Sequence, residues 1–282
     1  MTKEVSGAVT PGLTRGPASS PMAQSFRGGG FAVTAPAIIA APRAAHRFRP
    51  SFFFGMILAM CLFIFGGFGM SYLVPMGEGT FKPAPPIVHL HGFIFMSWMI
   101  LLVVQAGLVG TGNVKLHRSL GTYMIAHGSV AICAGLLLQL IATRSAMDKG
   151  FAPGTDGLYL GLNAFFGFAI MFTLAIRNTR RPQIHKRMML FAMLPVLPPG
   201  VNRFWSHSLG LAPIPVVPLY LTLWSLAAAI LIHEWRRTGR ISRYSVFGAG
   251  WIFVEGVLHK VVVHSPQFDN FAAGLLGLVH YR

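Results

Sequence analysis

Seven stretches of this chain stay apolar for about 20 residues each. That is the length at which a helix rising about 1.5 Å per residue crosses the hydrocarbon of a bilayer. They lie near 51–74, 86–109, 119–142, 156–176, 187–209, 213–234 and 245–264. In lipid the backbone must satisfy its own hydrogen bonds, so blocks of this kind become helices. The expectation is an all-α, polytopic membrane helical bundle of about seven transmembrane helices, occupying residues 50–266. Six helices is the alternative, because the block at 245–264 carries Glu255, His259 and Lys260 and is the weakest. The chain is 54% hydrophobic and 11% charged, against about a quarter charged in soluble domains.

The formal net charge is +16, which by itself would invite a nucleic-acid partner. The position of the bases argues against one, because they lie between the apolar blocks, where membrane topology uses them. Arg43, Arg47 and Arg49 precede the first block. Lys115 and Arg118 separate the second and third. Arg177, Arg180, Arg181, Lys186 and Arg187 separate the fourth and fifth, and Arg236, Arg237, Arg240 and Arg243 the sixth and seventh. The alternate loops hold Lys82 in one and Arg144 and Lys149 in another. The positive-inside rule then puts the N-terminus in the cytoplasm and the C-terminus outside. A six-helix topology would leave the last block on the cytoplasmic side.

Residues 1–42 are rich in Gly, Ala, Pro, Ser and Thr without any period, and 1–49 are expected to form a disordered basic tail. No apolar core of signal-peptide length precedes a cleavage site there. The stretch VTPGLTRGPASSP looks like translated intergenic repeat, which makes Met22 a candidate start; N-terminal sequencing that found Thr2 would end that hypothesis. Residues 267–282 are expected to form a short amphipathic tail. Cys61 and Cys133 both lie inside apolar blocks and are expected to be small buried residues rather than disulfide partners.

Polar groups inside a bilayer are costly and face a bundle interior or a cavity. Counting the rise from each block's end puts His91, Asn163, Asn202, Arg203 and His259 at similar depths of about 7–11 Å in the outer half. Glu255 falls slightly deeper, at about 14 Å, and His207 nearer the surface, at about 3 Å. These residues are the candidate lining of one outer-half site for a small molecule, a lipid or a cofactor. His127 falls nearer the midplane. His91, Trp98 and Gln105 share one helical face, as do Trp251, Glu255 and His259. The plain alternative is that the lone histidines make interhelical hydrogen bonds and the tryptophans belong to an aromatic belt.

MLPVLPPGVNRFW places Pro195, Pro198, Pro199 and Gly200 in the middle of the fifth block. Each proline removes a backbone donor and crowds the preceding turn, so a break or kink is expected. A second half-helix starting near Asn202 and Arg203 would aim its N-terminal amides at a ligand; a packing kink without function is the alternative. An arginine at that depth needs an anionic partner. Glu255 is the one acidic residue placed well inside the core, so an Arg203–Glu255 pair is expected.

The sequence shows no GxSxG, paired carboxylates, HExxH or Walker loop. Haem b remains as an alternative, with His91 facing His259 or His207 and Arg203 on a propionate; a Soret band in purified protein is its test. VKLHRSLGTYMIAHG and PQIHKRMMLFAM each set a histidine beside a base just before a block, at His117-Arg118 and His185-Lys186. They hint at a repeated helical pair whose two histidines meet at the cytoplasmic face. The bland reading is two basic loops near lipid phosphates.

VHLHGFIFMSWMILLVVQ followed by VKLHRSLG, together with IHKRMMLFAMLPVLPP and the weak last block with its tail, resembles a group of uncharacterised bacterial multi-pass membrane proteins over most of 50–280. The resemblance implies the fold and a bacterial inner (cytoplasmic) membrane location, but no activity. The likeness to b-type cytochromes is confined to helix number and scattered histidines. Three functions stay open: a polar outer-half binding site, a haem-binding electron-transfer or oxidase-assembly protein, and a subunit of a larger complex. In the last, Gly66, Gly67 and Gly69 would serve contacts with partner membrane subunits.

Overall fold

Most helices of the bundle start where the sequence supplies a cap or a proline. In the computed structural model, which describes residues 48–152, 155–210, 216–263 and 265–279, α1 (Phe52–Phe68) begins after Ser51, whose hydroxyl accepts the Phe54 amide. It runs through a π-helical segment, Gly69–Leu73, into α2 (Val74–Gly77). Then α3 (Pro86–Gly110) starts on a proline, α4 (Val114–Met147) on an Asn113 cap and α5 (Asp156–Arg177) on a Thr155 cap. The short helices α6 (Pro182–Met193) and α7 (Pro198–Leu209) both open on proline. They are followed by α8 (Val216–Thr238), α9 (Arg243–Val262, capped by Ser242) and α10 (Pro266–Gly277, capped by Ser265). Cap side chains and first-turn prolines settle amide groups that a helix start leaves without partners. Of the tail expected at 1–49, residues 1–47 lie outside the described residues.

Among the described residues, six helices are long and apolar enough to cross a membrane: Phe52–Gly77, Pro86–Gly110, Val114–Met147, Asp156–Arg177, Val216–Thr238 and Arg243–Val262. Only 17% to 33% of their most apolar windows is buried inside the protein. Large apolar side chains such as Phe93 (73% exposed) and Val261 (70%) point outward. An outer surface of this kind is stable against lipid and not against water. The protein is an all-helical polytopic membrane bundle.

The block expected to be weakest, 245–264, is a continuous helix, and the interruption falls in 187–209. There α6 ends at Met193, a single 3-10 turn covers Leu194–Val196, and α7 starts at Pro198. The broken element still follows the full path of its neighbours. It runs parallel to α1, with Lys186 over the Phe53 ring, Gly200 against Ile64 and the Arg203 side chain against Gly67. It runs antiparallel to α5, with His185 bonded to Ala175 and Pro195 against Gly167. Almost every side chain from Arg187 to Pro198 is buried. Pro195 and Pro198 are thus surrounded by protein and kept from lipid, as a broken segment at membrane depth requires, while the carbonyl of the exposed Pro199 accepts from Arg203.

Neighbouring helices pair as antiparallel hairpins, which sorts their ends into two sets. Gln105 meets His117 and His91 meets Gly135 across α3 and α4. Tyr159 meets Glu255 and Gly167 meets Trp251 across α5 and α9. One end therefore gathers the Arg- and Lys-rich connections, here termed the inner end, and the other gathers the sparsely charged ones. At the outer end α10 lays Phe268, Ala272 and Leu276, one face at i, i+4, i+8, against Leu158, Tyr159 and Val263.

Candidate functional site

Helices α5, α8 and α9 bring together a buried polar cluster near the outer end. Asp156 opens α5, and its Oδ1 lies 3.0 Å from Nε2 of His259. One turn further along α5, the Tyr159 ring stacks on His259 with centroids 5.1 Å apart. Its hydroxyl donates to the Glu255 carbonyl at 2.9 Å and also meets the side chain of Asn163. Asn163 itself donates to the Tyr159 carbonyl at 3.0 Å. From α8, the Tyr220 ring lies edge-on to His259 at 5.6 Å. Gly256 lets α9 approach, because a Cβ there would meet Tyr220 at 2.7 Å and Trp224 at 2.8 Å.

Glu255 is the centre of this cluster and is 3% exposed. Neither carboxylate oxygen has a hydrogen-bond partner among the described residues, and the Tyr220 hydroxyl and Trp251 Nε1 are buried and unpartnered in the same way. Two orphan acceptors and two orphan donors on adjoining helices are unusual, because buried polar groups are nearly always paired.

The fold brings together Asn163, Glu255 and His259 from the expected band. The other candidates lie elsewhere. His91, half-buried, turns to α4 with Cε1 3.2 Å from where a Gly135 Cβ would stand, and stacks on Phe95. His127 also works between α3 and α4. Its Nε2 is 3.0 Å from the Ile94 carbonyl and 3.2 Å from the Ser97 hydroxyl, the interhelical bonding that was the plain alternative. Asn202 is half-buried on α7, and His207 is exposed with Nδ1 2.8 Å from the Arg203 carbonyl. His91 and His259 thus occupy different helix interfaces, and so do not face each other as an axial pair.

The expected Arg203–Glu255 pair does not form. Arg203 is exposed on α7, donates from Nη1 to the Pro199 carbonyl at 3.0 Å and lies over the Phe68 ring at 4.5 Å. It sits at the sixth position of α7, so it turns outward along the helix surface, where a long side chain can reach the interface. The second half-helix begins at Pro198, not at Asn202, and Gly200 beside its start is packed on Ile64.

A buried Arg–Glu pair exists, with different members. Arg187 Nη1 and Glu234 Oε1 are 2.8 Å apart, with side chains 7% and 3% exposed. The same Glu234 oxygen accepts the Ser242 amide at 3.1 Å, so α6, α8 and the start of α9 are tied at the inner end. Arg187 was grouped with a basic loop and Glu234 with the end of a block; the signal available in the sequence was an acid just before a strongly basic connection. Cys133, expected to be buried, is exposed on α4, while Cys61 is buried. Gly66 and Gly67, expected to meet partner subunits, instead seat Phe204, Arg203 and Gly200 of the same chain.

At the inner end the two loop histidines do meet. The rings of His117 and His185 have centroids 6.4 Å apart and planes at 83°. Nearby, Leu174, Arg177, Asn178, Arg180, Arg181 and Tyr244 line a basic cleft.

Fold and surface together define an integral multi-pass membrane protein. Comparison with protein-family models, with curated protein sequences and with solved structures gives no match.

Proposed function

We propose that this is a multi-pass protein of a bacterial cytoplasmic membrane that loads a proton on Glu255, in a buried polar cluster near its outer end. The observation that carries the reading is the Glu255 carboxyl, 3% exposed and with both oxygens unpartnered among the described residues. An ionised carboxylate buried in that way is costly, and ionisable groups within membrane helices mark ion or substrate paths. A proton removes the charge. The adjoining Asp156–His259 pair, whose Asp156 side chain is 60% exposed, links Glu255's neighbourhood to the aqueous face. The orphan Tyr220 hydroxyl and Trp251 Nε1 add donors on the same helices with which a small polar molecule would pair. The basic inner cleft suits lipid phosphates.

Dicyclohexylcarbodiimide, an apolar reagent that attacks protonated carboxyls, tests this in native membranes. The expected result is an adduct mapped to Glu255 by mass spectrometry and lost in Glu255→Gln. Absence of that adduct across the physiological pH range, with other acids of the chain labelled, would overturn the proposal.

A further inference from the structure

His117 and His185 are oriented by one device used twice. His117 Nδ1 lies 3.3 Å from the Gln105 carbonyl oxygen, and His185 Nδ1 lies 2.9 Å from that of Ala175. A carbonyl oxygen only accepts, so each Nδ1 carries its ring's proton. Each neutral ring therefore keeps a bare lone pair on Nε2. Metal-ligating histidines are commonly held in this manner, with one nitrogen donating to a backbone carbonyl and the other free to bind.

The spacing fits the same use. Two imidazoles on opposite sides of one ion, with bonds of about 2.0–2.1 Å, have ring centroids about 6.3 Å apart; here the separation is 6.4 Å. A third acceptor stands beside them. The Gln105 side-chain amide donates to the His117 carbonyl at 3.2 Å. Its Oε1 is buried without a partner among the described residues, in a residue 7% exposed. Both histidines are half-buried, so they stay within reach of the aqueous phase.

Among the described residues, no group of three or more His, Cys, Asp or Glu could hold a metal. Carboxylate-seeking ions such as Ca2+ and Mg2+ are therefore a poor match, whereas imidazole nitrogens suit copper, zinc, nickel or iron. We propose that His117 and His185 form a two-histidine transition-metal site at the inner end of the bundle, with Gln105 Oε1 as an adjacent oxygen donor. The site lies at the opposite end from Glu255 and does not rest on the proton-loading reading.

The test uses the full chain purified in mild detergent and Cu2+ as the probe. Wild type is expected to bind one copper that shows imidazole nitrogen hyperfine splitting in its paramagnetic resonance spectrum. His117→Ala and His185→Ala should each weaken it by about tenfold or more, and the double variant should lose it. Glu255→Gln should bind copper as wild type does. Copper held elsewhere survives in the double variant and is subtracted. In case the variants fold poorly, Zn2+ is expected to protect His117 and His185 of the wild type from diethyl pyrocarbonate. Unchanged copper binding in the folded double variant, or equal modification of both histidines with and without Zn2+, would overturn the site.

Discussion

At the residue scale, two arginines exchange the roles that depth alone assigns to them. Arg203 counts as deep yet is exposed, while Arg187 counts as a loop residue yet is buried against Glu234. The difference is azimuth: a helix position fixes height in the bundle, and packing decides which side faces protein. Removing one member of a buried ion pair strands the other charge, at a cost of about 3–5 kcal/mol. Arg187→Ala is therefore expected to lower the thermal midpoint in detergent strongly. Arg203→Ala gives up an exposed contact over an aromatic ring, worth about 0.5–1 kcal/mol, and one exposed hydrogen bond to the Pro199 carbonyl, and should shift the midpoint much less than Arg187→Ala. Equal losses in the two variants would mean that the partner assignment is wrong.

At the scale of elements, the broken helix organises the bundle. Its prolines made the interruption legible in the sequence, because a missing donor and a steric clash are local properties. The seat that receives it was not legible, because it depends on which glycine faces which helix. A Cβ on Gly67 would collide with the Gly200 carbonyl and lie 2.9 Å from the Phe204 amide. Those are backbone atoms and cannot swing aside. Overpacking of this kind costs about 1–3 kcal/mol, so Gly67→Ala should destabilise the protein. Gly55, on the same helix, has nothing within 4 Å of the added methyl. Gly55→Ala is expected to be neutral or mildly stabilising, since alanine favours a helix by up to about 1 kcal/mol. Thermal unfolding of the two variants side by side checks the contact. The histidines in the first turns of α4 and α6 show the opposite case: a weak sequence likeness is matched by the same Nδ1-to-carbonyl bond in both places.

At the scale of the whole molecule, apolar block length and alternating basic loops were enough for fold class and helix directions. Depth gave the right band for Asn163, Glu255 and His259 but could not separate them from His91, which shares the depth and faces α4. Neighbour relations between non-consecutive helices, such as α5 with α9, are tertiary information that no local pattern carries. Helix directions also make a topological prediction. Cysteines introduced at Lys115 and Arg180 should be labelled from the basic side, and one at Lys149 from the other; labelling of all three from a single side would contradict the hairpin order. Glu255 is proposed to sit in the buried cluster as a neutral acid. Infrared difference spectroscopy of wild type against Glu255→Gln in native membranes tests it most directly. The account predicts the carbonyl stretch of a protonated carboxyl, shifted by deuterium exchange and absent from the variant. A carboxylate pair of bands in its place, assigned to Glu255 by the same substitution, would contradict it.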